Sequence, residues 1–424
     1  MLPTIRFQLE TDMQAEYAWI IRAWGRYSGF TPLFVETEPE LTVSELGISD
    51  IRLSHFFRNT YLHGDHHAKA YFATAPVHLH AGGQTDHLST AFYMLSCQQE
   101  YAPFEGDKYG RFAFADSWQY RFDAADKNLV AFHFDQLTKS LPLVQQKILK
   151  QDHASRLFCT HDIDTVFGAW TEQRKALLKK GRVGTLLQLM FRHITGRYDY
   201  LELEKILAIE DAYDVRSVFF WLTERGRGRN GIENADYHID DPAIRKKMQL
   251  VSAAGGSNGL HKSALQTTYT EELERLHADG LISNRNHYLR FFMPDTWRVM
   301  EQAGVALDAT LGFAEQPGFR AGYGLPYRPF DVSGRREIAL TEVPLLVMDT
   351  TYRHYLKKDP ATAGKEIINL LDKHRQDAVI NILWHNNYFF DLAEPGWLQV
   401  YKDVLAWARD NAIRSVMPED LIIQ

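Results

Sequence analysis

Arg156-Leu-Phe-Cys-Thr-His-Asp-Ile-Asp164 is where this chain changes rhythm. A short apolar run, strand-sized, ends in two carboxylates that flank Ile163. From there short apolar runs alternate with amphipathic helical stretches. The spacing predicts strands at residues 157–161, 217–222, 259–261, 281–287, 307–313, 342–348, 378–385 and 415–417. Helices are predicted at 242–254, 270–279, 294–303, 362–375 and 397–411. Strands joined through helices of this length pair in parallel by right-handed crossovers, which gives a barrel or a doubly wound sheet. Pattern alone leaves both open. The polar residues separate them, because Asp162, Asp164, His261, His287 and His385 all fall at or just past strand C-termini. That end is the functional face of a (β/α) barrel, so a distorted or incomplete barrel is expected over residues 151–424.

Upstream, residues 1–150 read differently. One helical pattern covers residues 12–27, followed by aromatic-rich and turn-rich stretches at 71–80 and 109–115. With 424 residues the chain exceeds the size at which one core usually keeps growing, so a smaller mixed α+β domain is expected before the barrel. Hydrophobic residues at 45% and charged residues at 24% describe an ordinary globular protein that needs no staples. Only Cys97 and Cys159 are present, too few for a disulfide framework, and the start Met1-Leu-Pro-Thr-Ile-Arg lacks a signal-peptide pattern. A reducing cytoplasm is therefore the expectation.

A net charge of −7 argues against nucleic acid as the main partner, since duplex binding rests on Lys and Arg neutralising phosphates. One stretch runs against that balance. Residues 174–197 carry Arg174, Lys175, Lys179, Lys180, Arg182, Arg192 and Arg197 interleaved with leucines. A solvated helix face is the plain reading, and a weak membrane-surface contact the sharper one.

Asp162 and Asp164 lie two apart, so in an extended segment both carboxylates point the same way while His161 and Ile163 point the other. Such like charges repel unless a proton or a cation lies between them. Two imidazoles, His261 and His287, with one Asp and an open position have the composition of a hydrolytic metal site. An Asp-x-Asp pair after a strand is also common turn or helix-cap chemistry, and spacing does not decide between the two.

The segment Phe158-Cys-Thr-His-Asp-Ile-Asp164 resembles the first motif of the polysaccharide deacetylase superfamily (carbohydrate esterase family four, NodB homology). Gly259-Leu-His261-Lys-Ser is similar to its second, histidine-bearing motif. Arg285-Asn-His287-Tyr-Leu-Arg290, Gly318-Phe-Arg-Ala-Gly322 and Leu383-Trp-His385-Asn-Asn387 follow in the order of an uncharacterised bacterial subgroup with an extra amino-terminal domain. Thr90-Ala-Phe-Tyr-Met-Leu-Ser96 and Asp107-Lys-Tyr-Gly-Arg-Phe112 resemble that domain.

The resemblance implies a metal-dependent amide hydrolase acting on an N-acetylated sugar or glycan precursor, with a divalent ion such as zinc. In it Asp162 is the catalytic base, Asp164 and His261 are metal ligands, Arg320 orients the base and His385 is the general acid. Two departures stand out. The second metal histidine of the superfamily usually lies four residues after the first, where this chain has Leu265, so His287 takes that role. A proline usually follows the arginine by two, where this chain has Gly322. Trp221, Trp384, Tyr288, Phe291 and Tyr323 form either a sugar-binding wall or plain core. Hydrolysis of a small non-glycan amide, and a non-catalytic glycan-binding role in an envelope polysaccharide pathway, are the competing readings.

Overall fold

The computed structural model describes residues 2–46, 49–77, 83–148, 154–197, 199–228, 231–277, 280–390 and 392–423. The N-terminal part opens with a parallel sheet of β1 (Thr4–Glu10), β2 (Thr31–Phe34), β3 (Leu41–Ser44) and β4 (Ile51–Arg52), ordered β2-β1-β3-β4. The helix Gln14–Ser28 crosses from β1 to β2, close to the predicted 12–27. Helices His87–Leu95 and Leu129–Ser140 then pack on it. Asp86 and Asn128 cap them by accepting from backbone N–H groups in their first turns.

The C-terminal part is one curled parallel sheet. Its strands are β5 (Arg156–Ile163), β6 (Ser217–Leu222), β7 (Ser257–Lys262), β8 (Ser283–Asn286) and β9 (Leu307–Asp308). After a hairpin of β10 (Phe330–Asp331) and β11 (Arg336–Glu337) come β12 (Thr341–Glu342), β13 (Leu345–Met348), β14 (Val379–Leu383) and β15 (Arg414–Ser415). The order is β12-β9-β8-β7-β6-β5-β14-β13, with β15 beside β5. All of β6 is buried, as expected of a parallel strand covered on both faces. The crossover helices begin where the sequence carries start signals: Asp241 and Asp359 cap helices that open on Pro242 and Pro360, and Thr268 with Glu271 forms a capping box.

The curl follows from the chain itself. β12 lies on one edge of the sheet and β13 on the other, yet only Val343 and Pro344 separate them, a span of at most about 11 Å. The edges must therefore approach, and Asn381 of β14 bridges them by donating to the Val343 carbonyl at 2.9 Å. This corrects the single strand predicted at 342–348, because Pro344 has no N–H to continue a ladder. The strand predicted at 307–313 also stops early, at Asp308. Beyond it the Ala309 and Gly312 carbonyls turn to accept from Arg285 and Arg320.

The expected boundary at 150/151 falls among residues 149–153, outside the described residues. The two parts share a core, with Trp19 packed on Phe330 at a centroid distance of 5.2 Å. Glu100 and Arg320 make a fully buried ion pair between them, with bonds of 2.8 and 2.6 Å. Gly322 has a φ of 65°, and a Cβ there would meet the Trp118 ring at 3.2 Å. Its carbonyl accepts from Val130 N–H. The glycine found in place of the usual proline thus lets this loop dock on the N-terminal part. Among the described residues no helix is long and apolar enough to cross a membrane.

Removing one member of a buried pair strands the other charge, so Arg320→Ala should lower unfolding stability by about 3–5 kcal/mol in a denaturant titration. A shift of less than about 1 kcal/mol would show that the pair does not hold the two parts together.

Candidate metal centre and hydrolytic site

The C-terminal ends of β5, β7, β8 and β14 meet at the mouth of a cavity of about 450 Å³, a size suited to a small ligand. Asp162 sits in the last turn of the β5 pleat, and Asp164 follows one residue past the strand. His161, as alternation requires, faces away: its Nδ1 meets the Trp384 carbonyl and its Nε2 meets Glu210, both at 2.7 Å. It is a satisfied core histidine.

Asp164, His261 and His287 bring one donor atom each within 4.8 Å of one another. Asp164 Oδ1 lies 3.2 Å from His261 Nε2 and 3.6 Å from His287 Nε2. Donors held at about 2.1 Å around a tetrahedral ion stand about 3.4 Å apart, so these separations suit one divalent ion. Tautomer chemistry points the same way. His261 Nδ1 donates to the Arg285 carbonyl at 2.9 Å, which in a neutral ring leaves a lone pair on Nε2 facing a carboxylate oxygen. Both atoms are buried and, among the described residues, neither has a hydrogen-bond partner. Two acceptors that close need a cation or a proton between them.

The electrostatics record that tension. Burial alone would raise Asp164, but His287 and His261 hold its carboxyl well below the usual range. Burial lowers His261, and the facing Asp162 and Asp164 more than reverse this, so its pKa is raised. For His287 burial wins and the pKa falls, which favours the neutral, ligating ring.

The guanidinium beside Asp162 belongs to Arg285. From β8 it crosses the barrel interior, donating to Thr160 Oγ1 at 2.6 Å, Asn381 Oδ1 at 3.2 Å and Asp162 Oδ1 at 3.4 Å. Arg320, expected in this role, is instead committed to Glu100 and the Gly312 carbonyl. The reason is local: its loop is docked on the N-terminal part.

His385 stands across the mouth, its Nε2 3.7 Å from Asp164 Oδ2. Behind it Asp349, buried just past β13, accepts from His385 Nδ1 at 2.7 Å and from its backbone N–H at 2.6 Å. Burial would lower this imidazole, but Asp349 overrides it and the pKa rises to about 10. The Asp349 pair therefore orients His385 and favours its protonated form. Asp349 carries the same signal as the other site residues, an acid just past a strand end, and the sequence reading missed it.

The N-terminal part completes the rim. Lys108, Tyr109 and Arg111 line the cavity together with Tyr288, Tyr355 and Tyr388. Arg111, held by Asp107, donates to the Tyr288 carbonyl at 3.0 Å. Tyr288 and Leu289 both have left-handed backbones, with φ of 60° and 52°. Consecutive residues of that kind are costly, and the Arg111 bond braces them. Of the expected aromatic wall only Tyr288 lines the cavity; Trp221, Trp384, Phe291 and Tyr323 are core.

The family described as "Family of unknown function (DUF7033)" matches residues 32–146. No curated protein matches the chain. Among solved structures, a candidate polysaccharide deacetylase from Mycobacterium smegmatis is 14% identical, with 64% of this chain and 90% of that one covered at a TM-score of 0.38. A candidate glycoside hydrolase/deacetylase from Parabacteroides distasonis is 11% identical over 62% of this chain and 69% of its own, again at 0.38. A "CE4 family pseudoenzyme" from Bacillus anthracis is 10% identical over 64% and 66%, at 0.27. At such scores these likenesses carry nothing about chemistry.

Purified protein should bind close to one equivalent of a divalent ion, read by elemental analysis after dialysis. His261→Ala, Asp164→Ala and His287→Ala should each weaken it by at least about tenfold, the least expected on losing one of three ligands. Equal metal content in all four proteins removes the assignment. In metal-free protein, Asp349→Asn should return the His385 titration, followed by NMR, from about 10 toward its ordinary value of 6.5. Because the folded pKa is the higher one, the stabilisation from this pair is complete below about pH 6.5 and fades as pH rises through about 10.

Proposed function

We propose that this protein is a metal-dependent hydrolase that removes N-acetyl groups from a sugar or glycan precursor. The observation that carries the reading is the separation of roles at one mouth. Asp164, His261 and His287 bring their donor atoms together, with Asp164 Oδ1 and His261 Nε2 unsatisfied, while Asp162 and His385 flank them with separate supports. A bound zinc or similar ion supplies Lewis acidity and makes water a better nucleophile at neutral pH.

The rest is the work of this chain's own side chains. Asp162 is placed to take the proton from attacking water, and Arg285 with Thr160 keeps its carboxylate aimed. Arg285 keeps its own charge, and its guanidinium faces the Asp162 carboxylate at 3.4 Å. His385, held protonated by Asp349, gives a proton to the departing amine nitrogen from the opposite side. The cavity of about 450 Å³ beside them has room for a small amide. Tyr109 and Tyr288, with ring centroids 4.7 Å apart, and Tyr355 offer faces for a pyranose ring beyond the reacting carbonyl. The motif resemblance supplies the acetyl sugar. The geometry by itself suits any amide of that size.

The two aspartates separate this reading from a binding-only one. On an N-acetylated sugar substrate, Asp162→Asn should keep its metal and lose about 10²- to 10⁴-fold in kcat, as on removing a general base. Asp164→Asn should lose the metal first and recover partly in excess ion. If neither substitution changes turnover, the chemistry lies elsewhere and the site only binds.

A further inference from the structure

The two helices that follow Asp164, Ala169–Lys179 and Val183–Ile194, form a hairpin whose outer face is unlike the rest of the surface. Its inner face is ordinary, with Leu177 and Leu189 buried against the body. On the outer face Val183, Leu187, Met190, Phe191 and Ile194 stand exposed at i, i+4, i+7, i+8 and i+11, with Leu178 beside them. Phe191 is 62% exposed and Ile194 73%, well beyond scattered surface apolars.

Cations ring this stripe. Between Glu172 and Asp199 the chain has no acidic residue, although its net charge is −7. Lys180 and Arg192 pair with Glu394 and Glu202. Lys175, Lys179 and Arg197 have no carboxylate partner among the described residues. An apolar helical stripe flanked by Lys and Arg is the pattern of a helix lying in a membrane interface. A second copy of the chain suits it poorly, because a two-fold pairing would bring the two cation sets together.

The hairpin is also fixed to the site. Gln173 donates to the Phe390 carbonyl at 3.1 Å and Lys180 to the Ala393 carbonyl at 3.0 Å, both on the segment that leaves His385. It therefore belongs to the same end of the barrel as the metal cluster. We propose that this hairpin docks the protein on an anionic lipid bilayer, apolar stripe in the acyl boundary and cations among the headgroups. Docking this way keeps the cavity close to the headgroups, where a lipid-borne substrate would lie. It stands independently of the hydrolytic reading.

The test is sedimentation of the full chain with vesicles of phosphatidylcholine alone and with about one-third phosphatidylglycerol. Binding is expected only to the anionic vesicles and should weaken as salt rises. Leu187→Ser with Ile194→Ser should weaken it by more than about tenfold. Lys175→Gln and Lys179→Gln should each weaken it about fivefold. All four positions are exposed, and an unchanged melting temperature confirms that the variants fold. Absent binding, equal binding to both vesicle types, or binding that the serine pair leaves intact overturns the proposal. A solution dimer that the serine pair dissociates would assign the stripe to a second copy instead.

Discussion

Two carboxylates line one mouth and a third, Asp349, lies buried behind it, and matching these charges is the constraint that orders the rest of the barrel. Asp162, Asp164 and Asp349 are drawn there because each lies at or just past a strand end. Removing a carboxylate from water without a partner costs several kcal/mol, so each must be matched. Asp162 faces Arg285, and Asp349 is bonded to His385. Among the described residues Asp164 faces only imidazoles, one with its Nδ1 already committed to a carbonyl. The place left for a cation is thus the cluster of Asp164, His261 and His287. Arg285 in turn fixes the barrel's interior, since a buried guanidinium must find acceptors and draws them from β5, β14 and the chain after β9.

The N-terminal part enters this arrangement as a structural necessity. Arg320 lies on the loop where the resemblance places the orienting arginine, but Glu100 claims it, and the docked loop becomes an interface. The guanidinium beside Asp162 comes instead from Arg285 of β8, a different element. What the N-terminal part receives in buried contact it returns at the rim, where Arg111 braces the left-handed turn after His287. Without that bond the strain of two successive residues with positive φ would fall on the segment that positions a ligand.

Much of this was legible in the sequence, for identifiable reasons. β6 matches its prediction residue for residue because an uninterrupted apolar run bounded by charged and polar residues admits one reading. Asp162, Asp164, His261 and His287 come together because strand C-termini share an end in a parallel barrel. The same rule covers Asp349, masked by the turn-like Thr350 and Thr351 beside it. Arg320 was beyond it: which carboxylate claims a buried arginine depends on a residue 220 positions away in another part of the chain. The split of residues 342–348 across both edges was equally hidden, because Pro344 signals a break but not that the two halves join opposite ends of the sheet.

That split also ties the seam of the sheet to the site. In place of a full ladder, the seam is closed by the Val343-Pro344 dipeptide, the Asn381 bridge and the Leu345 N–H, which donates to the Leu311 carbonyl at 2.9 Å. Asn381 also accepts from Arg285, the same guanidinium that aims Asp162. One side-chain amide thus links the seam to the guanidinium beside Asp162. A polar residue buried at the seam must keep both bonds to remain satisfied, and this couples the closure of the sheet to the alignment of the group read as taking the proton.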